Sequence, residues 1–276
     1  MDIMTLTGRL TEILLSVSLM IQTAEYLSLR AAMGPSGVWA YDVQGRDFKA
    51  YPMMDALFAW LSQERVYFWL LLFRALACMI LLVGGGSLPL MVFLFVTGLW
   101  IALRWRGAFN GGSDFMTMAV MIGCLLAYAV KDGAVQSAGW QNGGWQDGGW
   151  NIGLTFIALQ SASSYFISGG VKLLSQDWRT GKALPIFLDG GIYGPLSRHS
   201  PFWFQAIAGP VSWAFILWEC AIPFALLSVK AIAVFCGLGL LFHLLVFWYF
   251  GLNRFVFAWL ASYPALFYLA SVLEGG

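Results

Sequence analysis

The chain is a succession of long apolar stretches that repeatedly reach bilayer length, separated by short polar or glycine-rich breaks. A helix rises 1.5 Å per residue, so about 20 apolar residues cross a hydrocarbon core of about 30 Å. On that measure eight stretches predict membrane-spanning helices, at residues 10–29, 66–84, 87–105, 115–131, 151–174, 206–229, 231–250 and 254–272. The expected fold is all-α, a polytopic transmembrane helix bundle of about eight spans forming a single domain over residues 1–276.

The breaks carry their own signals. Gly84-Gly85-Gly86 predicts a tight turn, and Pro210 and Pro223 predict bends in the sixth span that free carbonyls for neighbours to satisfy. Two longer connections, 30–65 and 175–205, leave on the same side if eight spans hold, and are expected to cover one mouth of the bundle as interfacial lid segments. Within the first, residues 52–61 read as a short amphipathic helix at the membrane surface. The second alternates glycine, proline and apolar residues, as a re-entrant or interfacial lid does. Residues 139–151 place Trp140, Trp145 and Trp150 at five-residue intervals with Gly-Gly between them. That pattern suits an aromatic belt at headgroup depth first, and a docking loop for a partner or lipid second.

The fifth span breaks the apolar pattern in a regular way. Gln160, Ser164, Ser168 and Lys172 recur every four residues, so they share one helix face and climb about 18 Å. Polar groups at membrane depth are expected to face a bundle interior or a cavity. Lys172 is either a snorkelling lysine at a helix end or a partly desolvated base or anion anchor, with Tyr165 and Gln160 on neighbouring turns lining the same cavity.

Other ionisable residues inside spans are few: Glu25, Arg74, Glu219 and His243. Arg74 is expected to pair with Glu25 or Glu219, whether for helix cohesion or for function. Before the fourth span, Arg104 and Arg106 lead into Asn110-Gly-Gly-Ser-Asp114. Ser113 or Asp114 suits a helix N-cap, and the glycines would let backbone approach a ligand held by either arginine.

Composition narrows the classes. The chain is 60% hydrophobic and 11% charged with a net charge of +1, and no basic run suits nucleic acid. Its four cysteines, at 78, 124, 220 and 236, all fall inside predicted spans without a C-x-x-C pair, which argues against a disulfide framework or zinc site. No second histidine lies at i+3 or i+4 of His243 and His199 falls in a loop, so a haem or di-metal site lacks its ligand set and no metal is expected. The first span lacks a basic leader and a cleavage pattern and carries Gln22 and Glu25, so it reads as a retained helix. The lysines and arginines favour an orientation with the N-terminus outside.

The run YFISGGVKLLSQDW followed by Thr180-Gly181 resembles the Tyr-x-x-x-Gly-x-x-Lys-Leu-x-x-x-x-Trp-x-x-Gly motif of the HTTM membrane domain. That domain is shared by vitamin K-dependent gamma-carboxylases and bacterial SdpB-like proteins. RWRGAFNGGSDF, LWECAIPFALL and FHLLVFWYFGLNRFVFAWLASYPALF are similar to further stretches of the family, in the same order. The resemblance implies a bundle that holds a quinone or hydroquinone, or another lipid-like molecule, in an internal cavity. By the resemblance Lys172 falls in the family's catalytic lysine region; taken with the residue pattern above, Lys172, Glu219 and His243 are the expected catalytic groups, and Gln160, Tyr165, Arg74, Arg104, Arg106, Asn110, Asp114 and Trp178 the expected residues around the cofactor. The carboxylases have adjacent lysines where this chain has Lys172-Leu173, a histidine in the segment that here reads NGGSD, and a large lumenal domain without counterpart in these residues.

Three functions follow as expectations. One is a quinone-linked, carboxylase-like or oxidoreductase-like enzyme of a bacterial inner membrane. Another is a non-catalytic subunit that uses the bundle to hold a lipid, a protein or a peptide partner. Transport ranks last, because the spans show no inverted repeat.

Overall fold

The computed structural model describes residues 3–34, 36–105, 111–131, 148–193 and 202–275, and among them there are helices and no strands. Helix α1 covers Ile3–Ser28. Residues 30–61 form two 3₁₀ turns, the one-turn helix α2 (Tyr41–Gln44) and α3 (Pro52–Leu61). Then come α4 (Glu64–Gly84), α5 (Leu88–Trp105), α6 (Gly111–Lys131) and α7 (Gly148–Leu174). The short α8 (Gln176–Arg179) and α9 (Ala183–Leu188) precede α10 (Phe202–Cys220) and the one-turn α11 (Ile222–Ala225). The chain closes with α12 (Val229–Phe250), α13 (Asn253–Leu260) and α14 (Tyr263–Gly275).

Among the described residues, six helical stretches are long and apolar enough to cross a membrane: α1, α4, α5, α6, α12 and the near-continuous Asn253–Gly275. Their polarity is that of a multi-pass membrane protein. Ile80 and Val83 on α4, Val96 and Leu99 on α5, and Val234, Leu241 and Trp248 on α12 are exposed. Glu12, Ser16, Gln22, Arg74, Thr97, Glu219, His243 and Arg254 are buried. Lipid solvates the first set and not the second, the reverse of the soluble case.

The two remaining expected spans differ. Helix α7, at 27 residues, is the longest described helix, but glutamine, serine and glycine dilute its hydropathy. It packs on α6, α10 and α14. The sixth expected span, 206–229, is broken after Cys220, because Pro223 sits at the start of α11 and cannot continue the hydrogen-bond ladder. Pro210, by contrast, stays inside α10.

Small residues set the tightest crossing. Gly149 and Gly153 on α7 face Gly123 and Ala127 on α6, and a Cβ at 153 would stand 2.4 Å from the Gly123 carbonyl oxygen. This is the small-xxx-small spacing by which membrane helices approach without a hydrophobic driving force. The glycine turn at 84–86 forms as expected, with Gly85 at φ 85°.

Of the two expected lids, only the second reaches the cavity described below. The 30–61 segment packs on α4 and α5, where Phe58 stacks on Trp100 at 4.9 Å. In the tryptophan repeat, Trp140 and Trp145 lie outside the described residues, while Trp150 begins α7 and covers Gly8 of α1.

Candidate functional site

The C-terminal turns of α7 present Ser168 and Lys172 toward Glu219 of α10. Lys172 Nζ donates to Glu219 Oε2 at 2.5 Å, to Oε1 at 2.7 Å and to Ser168 Oγ at 2.7 Å. Ser168 Oγ in turn donates to Glu219 Oε1 at 3.1 Å. The ammonium also lies 5.3 Å from the Trp178 ring on α8, at cation–π distance. Both side chains are largely buried, 17% exposed for Lys172 and 5% for Glu219, so Lys172 is held inward rather than snorkelling outward.

Gly169 makes the pair possible. A Cβ there would lie 2.7 Å from Cys220 Sγ and 2.9 Å from Glu219 Cβ, so only glycine lets α10 come this close beneath Lys172. Gly181 does the same for the lid. It turns the chain between α8 and α9 at φ 78°, against the backbone of Gly209 on α10. Trp213 Nε1 donates to the Arg179 carbonyl at 3.1 Å, and Ile192 N to the Tyr249 carbonyl at 3.0 Å, so the lid is tied to α10 at one end and α12 at the other.

Between these elements lies a cavity of about 470 Å³, within the roughly 300–1,000 Å³ common for small-molecule sites. Val211, Phe215 and Glu219, spaced four apart on one face of α10, form one wall, and Phe242, Leu245, Val246, Tyr249 and their neighbours Trp248 and Phe250 on α12 form another. Leu184, Phe187 and Leu188 of α9 cover it, and Lys172 and Trp178 complete it. Among the described residues, Lys172 and Glu219 are the only charged ones in this lining. The geometry is an apolar chamber with one paired charge at its wall.

His243 stands behind that chamber. Tyr165 Oη lies 2.9 Å from His243 Nε2 and 3.1 Å from Tyr263 Oη, and the imidazole stacks on Trp259 at 5.1 Å and 16°. His243 Nδ1 has no hydrogen-bond partner among the described residues. An orphaned acceptor costs less than an orphaned N–H, which assigns the proton to Nε2, donating to Tyr165, which then donates to Tyr263. Tyr165 and His243 thus bond one another across α7 and α12 and neither lines the cavity.

A separate polar chain runs through α1, α4, α6 and α13. Arg254 places Nη1 2.8 Å from Asp114 Oδ1 and 3.1 Å from Tyr26 Oη, and its Nε 2.9 Å from Glu25 Oε2. Gln22 Nε2 donates to Asp114 at 2.8 Å, while Gln22 Oε1 accepts from Arg74 Nη2 at 3.0 Å. Arg74 also donates to the Leu94 carbonyl at 2.7 Å and to Thr97 Oγ1 at 2.6 Å. The expected pairing of Arg74 with Glu25 or Glu219 is therefore corrected, since Arg254 takes Glu25 and Lys172 takes Glu219. Asp114 is not an N-cap either, because α6 begins at Gly111 and its carboxylate turns inward to Gln22 and Arg254.

The remaining expected site residues scatter. Arg104, buried at the end of α5, donates to the Trp39 carbonyl and lies 5.9 Å from the Tyr41 ring, and it is not part of the α10–α12 cavity lining. That loop is a polar environment of its own, where burial, with help from Asp55, pushes the Tyr41 phenol up to about 12. Arg106 and Asn110 lie outside the described residues. Gln160 and Ser164 are exposed, so the four-residue stripe turns inward only at Ser168 and Lys172. Trp178 does line the cavity.

Sequence reasoning missed Glu12, Arg254 and Tyr263. Glu12 is buried, accepts from Tyr128 Oη, and accepts from Gly86 N and Arg9 Nη1, each at 3.0 Å. A buried-span acid with an arginine three residues before it was the available signal. Comparison with protein-family models, with curated proteins and with solved structures finds no match to this chain.

Proposed function

We propose that this protein crosses the membrane eight times, with α7 and with α10 extended by the one-turn α11 as the further spans, and binds an amphiphilic quinone- or lipid-like molecule in the cavity beside α9. The observation that carries the reading is the Lys172–Glu219 pair, the one charged feature among the described residues that line an otherwise apolar chamber. An apolar ring or chain fills the chamber, and its polar head meets Lys172, Ser168 and Glu219. The HTTM resemblance is proposed with it. Its motif residues support it by having distinct jobs at this one place: Gly169 admits α10, Lys172 holds Glu219, Trp178 covers the ammonium and Gly181 turns the lid.

Binding is the first step, and reaction requires the pair to rearrange. Lys172 spends all three ammonium donors on Ser168 and Glu219 and offers no lone pair. Passing one proton to Glu219 would leave a neutral amine facing the ligand, the form that can act as a base. His243 bonds Tyr165 instead of facing the chamber, so it supports the wall behind the site rather than touching a ligand.

Extraction of gently purified protein and mass spectrometry of its lipids and quinones tests this. The reading expects a stoichiometric amphiphile in wild type that is depleted in Lys172→Ala. Bulk membrane lipid alone, in equal amounts from both, overturns it.

A further inference from the structure

The way Lys172 and Glu219 meet restricts the head that the cavity can take, granted the ligand reading above. Each charge is already neutralised by the other at 2.5 Å, and the ammonium has no donor left over. An anionic head would have to displace Glu219 from Lys172 while lying beside its carboxylate in a low-dielectric wall, where like charges repel strongly. A cationic head meets Lys172 in the same way. Among the described residues no other Asp, Glu, Lys, Arg or His lines the chamber to compensate either one. What remains for a head group are the spare lone pairs of Glu219 and Ser168 and the polar edges of Trp178 and Tyr249.

The mouth points the same way. Phe187, Leu245 and Trp248 line the chamber and are also 55%, 49% and 65% exposed, so the opening is framed by large apolar side chains on α9 and α12. A rim of that kind on a membrane protein adjoins lipid, because water gains nothing there. We propose that the cavity selects an uncharged, hydroxyl-bearing amphiphile, entering sideways from the bilayer between α9 and α12, and excludes the charged phospholipids that surround it.

Two photoreactive probes test this in phosphatidylcholine nanodiscs: a hexadecyl alcohol with a mid-chain diazirine, and the sulfate monoester of the same alcohol. The proposal expects the alcohol to label peptides 183–193 and 242–250 about tenfold more than the sulfate, a difference of about 1.4 kcal/mol. Glu219→Gln, which leaves Lys172 unpaired, should raise labelling by the sulfate. Equal labelling by the two probes in wild type, or a preference for the sulfate, overturns the selectivity while leaving the ligand site standing. Labelling of these peptides by neither probe overturns both. If Glu219→Gln does not accumulate folded, the wild-type ratio decides.

Discussion

Lys172 on α7 donates to both carboxylate oxygens of Glu219 on α10, at 2.5 and 2.7 Å, across a contact that Gly169 keeps clear. The two residues are 47 apart in sequence and belong to different helices, yet they form one group at the wall of the cavity. Breaking a buried pair leaves an uncompensated charge, whereas removing both ends does not.

Lys172→Ala is therefore expected to destabilise the protein by about 3–5 kcal/mol, since it strands Glu219. The double variant Lys172→Met, Glu219→Leu should recover most of that stability and still lack bound ligand. Denaturation in mixed detergent micelles reads the first quantity and ligand extraction the second. Full ligand occupancy in the double variant would remove the pair from the site.

Gly169→Leu tests the contact from the other side. With no room for even a Cβ beside Cys220 and Glu219, α7 and α10 must separate, at a cost of about 1–3 kcal/mol or more. Thermal melting should fall and ligand should be lost together. Unchanged melting would show that the helices tolerate a wider crossing.

Tyr165→Phe removes the hydroxyl that joins His243 to Tyr263. The expected loss is about 1–3 kcal/mol, because two buried groups lose their partner. Ligand occupancy should change little, since Tyr165 is not part of the chamber lining. A variant of normal stability that has lost its ligand would place Tyr165 at the site itself.

Arg254→Lys probes the other network. One guanidinium reaches Glu25, Asp114 and Tyr26 at once, a geometry that a single ammonium cannot copy. The substitution should lower stability nearly as much as Arg254→Met, measured by melting in detergent. Wild-type stability in Arg254→Lys would mean that charge alone matters there.

How much of this was legible in the sequence depends on which physics each feature obeys. Hydropathy placed α4, α5 and α12 to within two residues, because lipid exposure is a local property. The i, i+4 rule put Gln160, Ser164, Ser168 and Lys172 on one face, and they share it. It could not say where that face leaves the bundle, and Gln160 is outside while Lys172 is inside. Partner choice was not legible either. Opposite charges at 114 and 254, or 172 and 219, meet only once helices pack, so Arg74 drew an expected acid partner and instead finds Gln22, Thr97 and a carbonyl. Pro223 was visible, but whether it bends a span or ends a helix depends on the neighbours that take up the freed groups, and here the helix ends.

The most direct test of the central claim is native mass spectrometry of the protein released from its membrane, comparing wild type with Val211→Trp, which intrudes on the chamber from α10 at a position eight residues before Glu219. The account predicts one amphiphile adduct on wild type and none on the folded variant. A wild-type protein without adduct, or an adduct retained equally by Val211→Trp, would contradict it.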